Sequence, residues 1–280
     1  MTARVALATD STADLEPGLL QQNIVAMVPL VINWDRQSYR DKVDLSSDEF
    51  YRRLRGAKSL PKTGAPSLAA FEEAFRRQLD GHEAVVSINL SGRLSTTLDV
   101  ARQAAEAVDA GRVSVLDSGT FTRGLGWMLE AAAGLADAGA GPEDIARAVA
   151  EMRPRVRIVA ILDTLEYLQR GGRIGRAAAL AGTLLSVKPL LEITDGEVRP
   201  LERVRTLGGA IRRLVEIVVG MGDVERLAVM HGDAAASARE LERQLQPHLP
   251  RLTIEHGEIG SVLRVHAGPG VFGVAVLLAR

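Results

Sequence analysis

Short apolar runs alternate with segments of helical period through the first half of the chain, and that alternation predicts a parallel sheet with crossover helices. Runs near Val5–Ala8, Val25–Ile32, Ala84–Ile88 and Val113–Leu116 read as strands. Between them the apolar spacing predicts helices near Leu15–Gln22, Ser46–Arg55, Leu68–Leu79, Thr97–Val108 and Gly124–Ala138. Pro142-Glu143-Asp144 opens a further helix that runs to Met152. Pro154 ends it, because proline lacks a backbone donor and disfavours the α conformation of the residue before it. A domain boundary is expected there, which divides the chain into 1–154 and 155–280.

The second half has a different pattern. Val156–Leu162 reads as a buried strand leading into a helical stretch. Asp195-Gly196, set between strand-like Pro189–Thr194 and Glu197–Val204, is the strongest hairpin signal in the chain. Helices near Thr206–Val219 and Ala234–Gln246 alternate with strands near Leu227–His231, Leu252–Glu258, Val262–Val265 and Val271–Leu278. The fold class is therefore α/β: an N-terminal α/β/α domain with a parallel sheet, and a C-terminal α+β domain with a mainly antiparallel sheet. Ala177–Leu185 is apolar around its whole circumference and predicts a buried helix, either leaving a slot beside a bound chain or packing closely in a core.

Composition narrows the function. A formal net charge of -1 offers no basic field for a nucleic acid backbone. The absence of cysteine excludes disulfides, thiolate metal sites and thiol nucleophiles, and suits a reducing cytoplasm. No apolar span is long enough for stable membrane insertion, and Met1 leads so directly into Val5-Ala6-Leu7-Ala8 that no signal peptide is expected. A Walker A loop, a GxGxxG after the first strand, an HExxH and a GxSxG are all missing from the sequence, so no cofactor and no metal are expected.

Five segments carry candidate chemistry. Ser91-Gly92-Arg93-Leu94-Ser95-Thr96-Thr97 turns from a buried strand into a helix, where free N–H groups and hydroxyls together favour an anion. Four hydroxyls in seven positions exceed the needs of one N-cap. Asp10, at the carboxyl end of the first strand, either braces the turn or serves as a base or metal ligand. Lys62-Thr63-Gly64-Ala65-Pro66-Ser67 is a loop closed by an N-cap at Ser67, which leaves Thr63 available to a ligand. Asp163 through Ile174 is dense in charge and contains Gly171-Gly172, which reads as a helix C-cap; Arg170 and Arg173 then suit an anionic partner. His266 follows a β-branched stretch read as a strand and precedes Gly268-Pro269-Gly270, where backbone approaches a ligand closely.

Thr9 through Leu15, Val28-Pro29-Leu30 with Asp41 after it, Thr63 through Ser67, Ser91 through Thr97, Asp163 through Ile174, Val204-Arg205-Thr206 and His266 through Gly270 follow one another as in the DegV family. The chain resembles that family over essentially its whole length. The resemblance implies a two-domain fatty-acid-binding protein with a ligand tunnel between the domains, the carboxylate being held by hydroxyls and a histidine near the C-terminus. Carried over by motif, these positions are Thr63, Ser95 and His266, with Arg170 and Arg173 as looser candidates. It further implies a long-chain fatty acid as ligand and a fatty acid kinase ATP-binding subunit as partner, so that this chain is an acyl-binding subunit without catalysis of its own. The chain departs from the family pattern at Gly92, where a second serine is usual, at Thr96-Thr97-Leu98 in place of Gly-Thr-Tyr, and at Gly64-Ala65 in place of Ser-Gln. Two other readings stay open: a stand-alone lipid sensor or chaperone, and a small-molecule kinase-like enzyme.

Overall fold

β1 (Val5–Asp10) is buried along its entire length, as a strand covered on both faces must be. In the computed structural model, which describes residues 4–15, 18–19, 25–54, 57, 59–180 and 187–280, it pairs in parallel with β2 (Val25–Val28). On its other side it pairs with β6 (Ala84–Asn89), and β7 (Val113–Asp117) completes a four-stranded parallel sheet in the order β2-β1-β6-β7. The chain leaves β1 toward one edge and returns to β6 on the other side, so the strand order reverses between β1 and β6. Open α/β sheets form their ligand crevices outside the carboxyl ends of strands at such a reversal.

Small residues on the sheet set how the helices pack. Ala6, Ala8, Ala26, Val85 and Val113 meet Phe71 and Phe75 of α2 (Leu68–Leu79) and Ala101 and Ala104 of α3 (Thr97–Asp109). α4 (Thr122–Asp137) and α5 (Pro142–Met152) pack against β1 and β6. Ser67 caps α2 by accepting from the Ala70 amide at 3.2 Å, and Pro142 starts α5 with Glu143 and Asp144 in its first turn. The helix predicted near Leu15–Gln22 lies largely outside the described residues.

The predicted Val25–Ile32 strand is two strands. Pro29 cannot donate to a ladder, and the chain changes sheets there. β2 stays in the parallel sheet, while β3 (Val31–Trp34) pairs antiparallel with β4 (Gln37–Arg40) and β5 (Lys62–Gly64) in a separate sheet of order β4-β3-β5. Asp35 and Arg36, with φ of 47° and 67°, make the tight β3–β4 turn.

The chain forms two compact units, and their division is not a single cut. Residues 1–46 and 61–154 make up the first; residues 47–60 pack with 155–280 in the second. This corrects the assignment of 47–60 to the N-terminal domain. α1 (Ser47–Leu54) explains the excursion: Phe50, Tyr51 and Leu54 are buried, and the Tyr51 ring lies 4.4 Å from the guanidinium carbon of the fully buried Arg264.

The second unit is built on a six-stranded sheet of order β10-β9-β8-β13-β11-β12. β8 (Val156–Ile161), β9 (Lys188–Thr194), β10 (Glu197–Val204), β11 (Val224–Gly232) and β13 (Val271–Leu278) join antiparallel. Only β12 (Ile254–Glu258) runs parallel to its neighbour, β11. Asp195 and Gly196, both at positive φ, close the β9–β10 hairpin. α7 (Leu207–Val219) and α8 (Ala235–Leu245) bury Ile211, Leu214, Val218, Leu241 and Leu245 against Val159, Leu227, Val229 and Val274 of the sheet.

Two local expectations are overturned. Val262–Val265 is not a strand but part of α9 (Ser261–Ala267), a short helix that buries Ser261, Val262, Arg264 and Val265. Tertiary burial at helical spacing outweighs the β preference of the valines. The helix expected over Ala177–Leu185 is, in its described part, a 3-10 turn (Gly175–Leu180) in which Ala177 is buried while Ala178 and Ala179 are exposed; 181–185 lie outside the described residues. No helix among the described residues is long and apolar enough to cross a membrane.

Candidate functional site

In the first unit, the loops that follow β1, β6 and β7 are stitched together at the carboxyl edge of the parallel sheet. Asp10 is the central fastener. Its Oδ1 accepts from the Thr12 amide at 2.9 Å and the Thr12 hydroxyl at 2.6 Å, and its Oδ2 accepts from the Leu90 amide at 2.7 Å. Burial pushes this carboxyl above the usual range, against the downward pull of those hydrogen bonds and of Lys42. Asp10 therefore takes the bracing role, with both oxygens committed. The Ser11 hydroxyl accepts from the Leu30 amide at 3.1 Å, which ties the β1 loop to the chain leaving β2.

Ser91 begins the hydroxyl-rich turn. Its amide donates to the Thr120 carbonyl at 3.0 Å, and its own carbonyl accepts from Leu94 and Ser95. Asp117 supports the turn from β7, accepting from the Gly119 amide at 2.9 Å and from the Gly92 amide at 3.4 Å. Ser95 is half-buried; its Oγ accepts from the Thr97 amide at 3.2 Å and shares a hydrogen bond with the Thr97 hydroxyl at 2.9 Å. Ser95 thus organises the first turn of α3, a capping arrangement that also fixes where its oxygen points. Gly92 leaves room for Leu98: a Cβ there would stand 2.8 Å from Leu98 Cδ2. Departures from the family pattern at these two positions therefore fit each other.

Thr63 is the central residue of β5, opposite Ile32 of β3, and is half-buried. It lies in the same unit as Ser95 but on a strand of the three-stranded sheet, whereas Ser95 stands in the turn that follows β6 of the parallel sheet. A second polar network in this unit went unpredicted: the Asp14 carboxylate accepts from Lys42 Nζ at 2.9 Å and from the Thr122 hydroxyl at 2.6 Å, while Arg123 donates to its carbonyl at 3.2 Å. Lys42 and Thr122 both adopt positive φ, a strained conformation for side-chain-bearing residues. No sequence pattern announces such a network, because its members stand 28 and 108 positions apart.

In the second unit, His266 is the penultimate residue of α9, followed by Gly268 at φ 77°. Desolvation, with a smaller contribution from the positive charge of Arg173, lowers its pKa to about 4. The imidazole is therefore neutral at physiological pH. α6 (Glu166–Arg170) packs against α9. Arg173 folds back to donate to the Gly171 carbonyl at 2.8 Å. Arg170 is instead paired with Glu166 at 2.6 Å, with about three-fifths of its side chain exposed at 62%. Structure thus brings His266 and Arg173 together and turns Arg170 outward. Lys188 pairs with Asp163 at 2.6 Å at the other end of the segment. Among the described residues, no group of three or more histidine and acidic side chains is placed to hold a metal ion.

The chain matches the model of the DegV family of uncharacterised proteins over residues 4–279. A DegV domain-containing protein of Caldanaerobacter subterraneus is 36% identical over 274 residues, covering 97% of this chain and 98% of the relative. A solved structure described as fatty acid binding of a DegV family protein from Thermus thermophilus superposes with a TM-score of 0.89 at 30% identity, covering 99% of this chain and 100% of that one. The fat acid (stearic acid)-binding protein from Eubacterium ventriosum gives a TM-score of 0.90 at 25% identity, covering 98% of both chains.

Proposed function

The chain belongs to the DegV family, and from that premise we propose that it binds one long-chain fatty acid and presents its carboxylate to a separate ATP-binding kinase subunit. The observation that carries the first half is the full-length likeness to two solved proteins that bind fatty acids. In this reading the groups offered to the acid are the hydroxyls of Thr63 and Ser95 and the neutral imidazole of His266. Arg173, beside His266, adds positive charge, and outward-facing Arg170 suits an anionic surface of the partner.

Magnitudes divide the labour. Burying roughly fifteen methylenes at about 0.8 kcal/mol each gives a gross gain of about 12 kcal/mol before ordering costs. A hydrogen bond to a charged carboxylate contributes about 1.5–3 kcal/mol. The tail therefore sets affinity, and the hydroxyls and imidazole set where the carboxylate stands. Phosphoryl transfer needs that position: the carboxylate oxygen attacks the γ-phosphorus of ATP held by the partner, ADP leaves, and an acyl phosphate remains on this chain. The same reading makes the chain a cytoplasmic carrier with no cofactor of its own.

Native mass spectrometry of the purified protein tests the first half. A fatty acid adduct that disappears on solvent extraction and returns with added stearate is the expected result; a protein that never takes up the acid overturns the reading. Hydroxylamine trapping of acyl phosphate with the cognate kinase subunit and ATP tests the second half. Retention of lipid with no trapped product in the presence of that subunit favours a stand-alone lipid sensor or chaperone.

A further inference from the structure

Gly171 and Gly172 close α6 as a pair, yet they are glycine for different reasons. Gly172 has φ 68° and nothing within 4 Å of where its Cβ would stand, so its backbone conformation is what disfavours a side chain. Gly171 has φ -76° and ψ -9°, an ordinary helical conformation open to any residue. Space is what excludes a side chain there. A Cβ on Gly171 would overlap Nδ1 of His266, and would lie 3.1 Å from its Cε1 and 3.1 Å from the Tyr167 carbonyl oxygen. His266, half-buried with its Nδ1 atom fully covered, and the Tyr167 carbonyl, held by the Gly171 amide in α6, leave little room to retreat.

The same interlock recurs along the chain after His266. A Cβ on Gly268 would enter the Tyr167 ring, and one on Gly270 would meet the Asp163 carboxylate. Glycines on both segments thus let them interdigitate around one imidazole. Gly171 is the one that touches the ring itself.

We propose that Gly171 is a positioning residue for the acid-binding site: lacking a side chain, it lets the imidazole of His266 rest against the end of α6 and so fixes the direction in which Nε2 is presented. This rests on the reading of His266 as a ligand-binding residue. A methyl group at position 171 pushes the ring out of its seat, away from the desolvated environment and from Arg173, without altering the backbone that Gly172 requires.

The test compares Gly171→Ala with Gly172→Ala in the full chain. Imidazole nitrogens are followed by NMR through a pH titration, with His266→Gln identifying the resonance. Gly171→Ala is expected to move the His266 titration up from about 4 toward the ordinary histidine range and to weaken binding of a fluorescent fatty acid about tenfold. Gly172→Ala is expected to lower the thermal midpoint and leave the His266 titration in place. A wild-type His266 titration in Gly171→Ala overturns the proposal. If Gly171→Ala is too unstable to titrate, the thermal cycle decides: its destabilisation vanishes in a His266→Ala background if the ring is what it strikes, and persists in full if the proposal is wrong. A shifted His266 with undiminished fatty acid binding upholds the positioning of the ring and removes His266 from the acid-binding residues, so the two claims fail separately.

Discussion

The two units hold their candidate ligand residues by opposite means. In the first, Ser95 stands on a loop whose shape is imposed by carboxylates: buried Asp10 and half-buried Asp117, at the ends of β1 and β7, accept from its backbone amides. In the second, His266 stands on a short helix whose shape is imposed by absence, with glycines at 171, 268 and 270 clearing room for the side chains facing them. Charge fixes one arrangement and shape fixes the other. A braced loop fails when an acceptor is lost, whereas an interlocked helix fails when an atom is added.

Removing the fastener of the first unit gives the largest expected effect. Asp10→Ala strands the Thr12 and Leu90 amides in a buried setting, and hydrogen bonds to charged groups contribute about 1.5–3 kcal/mol each, so the loss is about 3 kcal/mol or more in urea denaturation. A loss under about 1 kcal/mol contradicts the bracing role. Ser95→Ala and Thr63→Ala come next. Each is expected to lower kinase-coupled acyl phosphate formation about tenfold while lowering lipid retention by less than about threefold, since donors position and the tail binds. Equal loss of both functions contradicts that division.

What was legible follows the same contrast. The parallel half was readable because its strands are buried runs separated by capped helices: Leu68–Leu79 and Pro142–Met152 stand where their spacing predicts. The hydroxyl turn was readable as well, since strand, turn and helix are contiguous. The function of Asp10 was only half readable, because its partner Leu90 is 80 positions away. α9 was misread as a strand, since Val262 and Val265 invite it and only packing reveals the helix. Gly171 looked like half of a C-cap. Its separate role needs the position of His266, 95 residues on, which no local pattern contains. The 47–60 excursion was hidden for the same reason: Tyr51 meets Arg264 across 213 positions of sequence.

Smaller effects sharpen the account of the second unit. His266 titrates near 4 in the folded chain and near the ordinary value of about 6.5 when unfolded. A depressed folded value means that its contribution is complete above about 6.5 and is lost as pH falls toward 4. The thermal midpoint of the wild type is expected to fall over that window, and that of His266→Gln to fall less steeply. His231, also held below its ordinary value by burial, keeps the remaining slope. The smallest effect belongs to Arg170→Ala. Its ion pair with Glu166 is exposed, so stability should change by less than about 0.5 kcal/mol, while capture of the kinase subunit in a pull-down weakens.

The central claim is that uncharged groups, the hydroxyls of Thr63 and Ser95 and the imidazole of His266, hold the acid end of a fatty acid. Carbon-13 NMR of bound stearate labelled at the carboxyl carbon reads that end alone. The account predicts a single resonance, shielded from pH titration, that changes its chemical shift in each of Thr63→Ala, Ser95→Ala and His266→Gln. A carboxyl resonance unmoved by all three substitutions would contradict it.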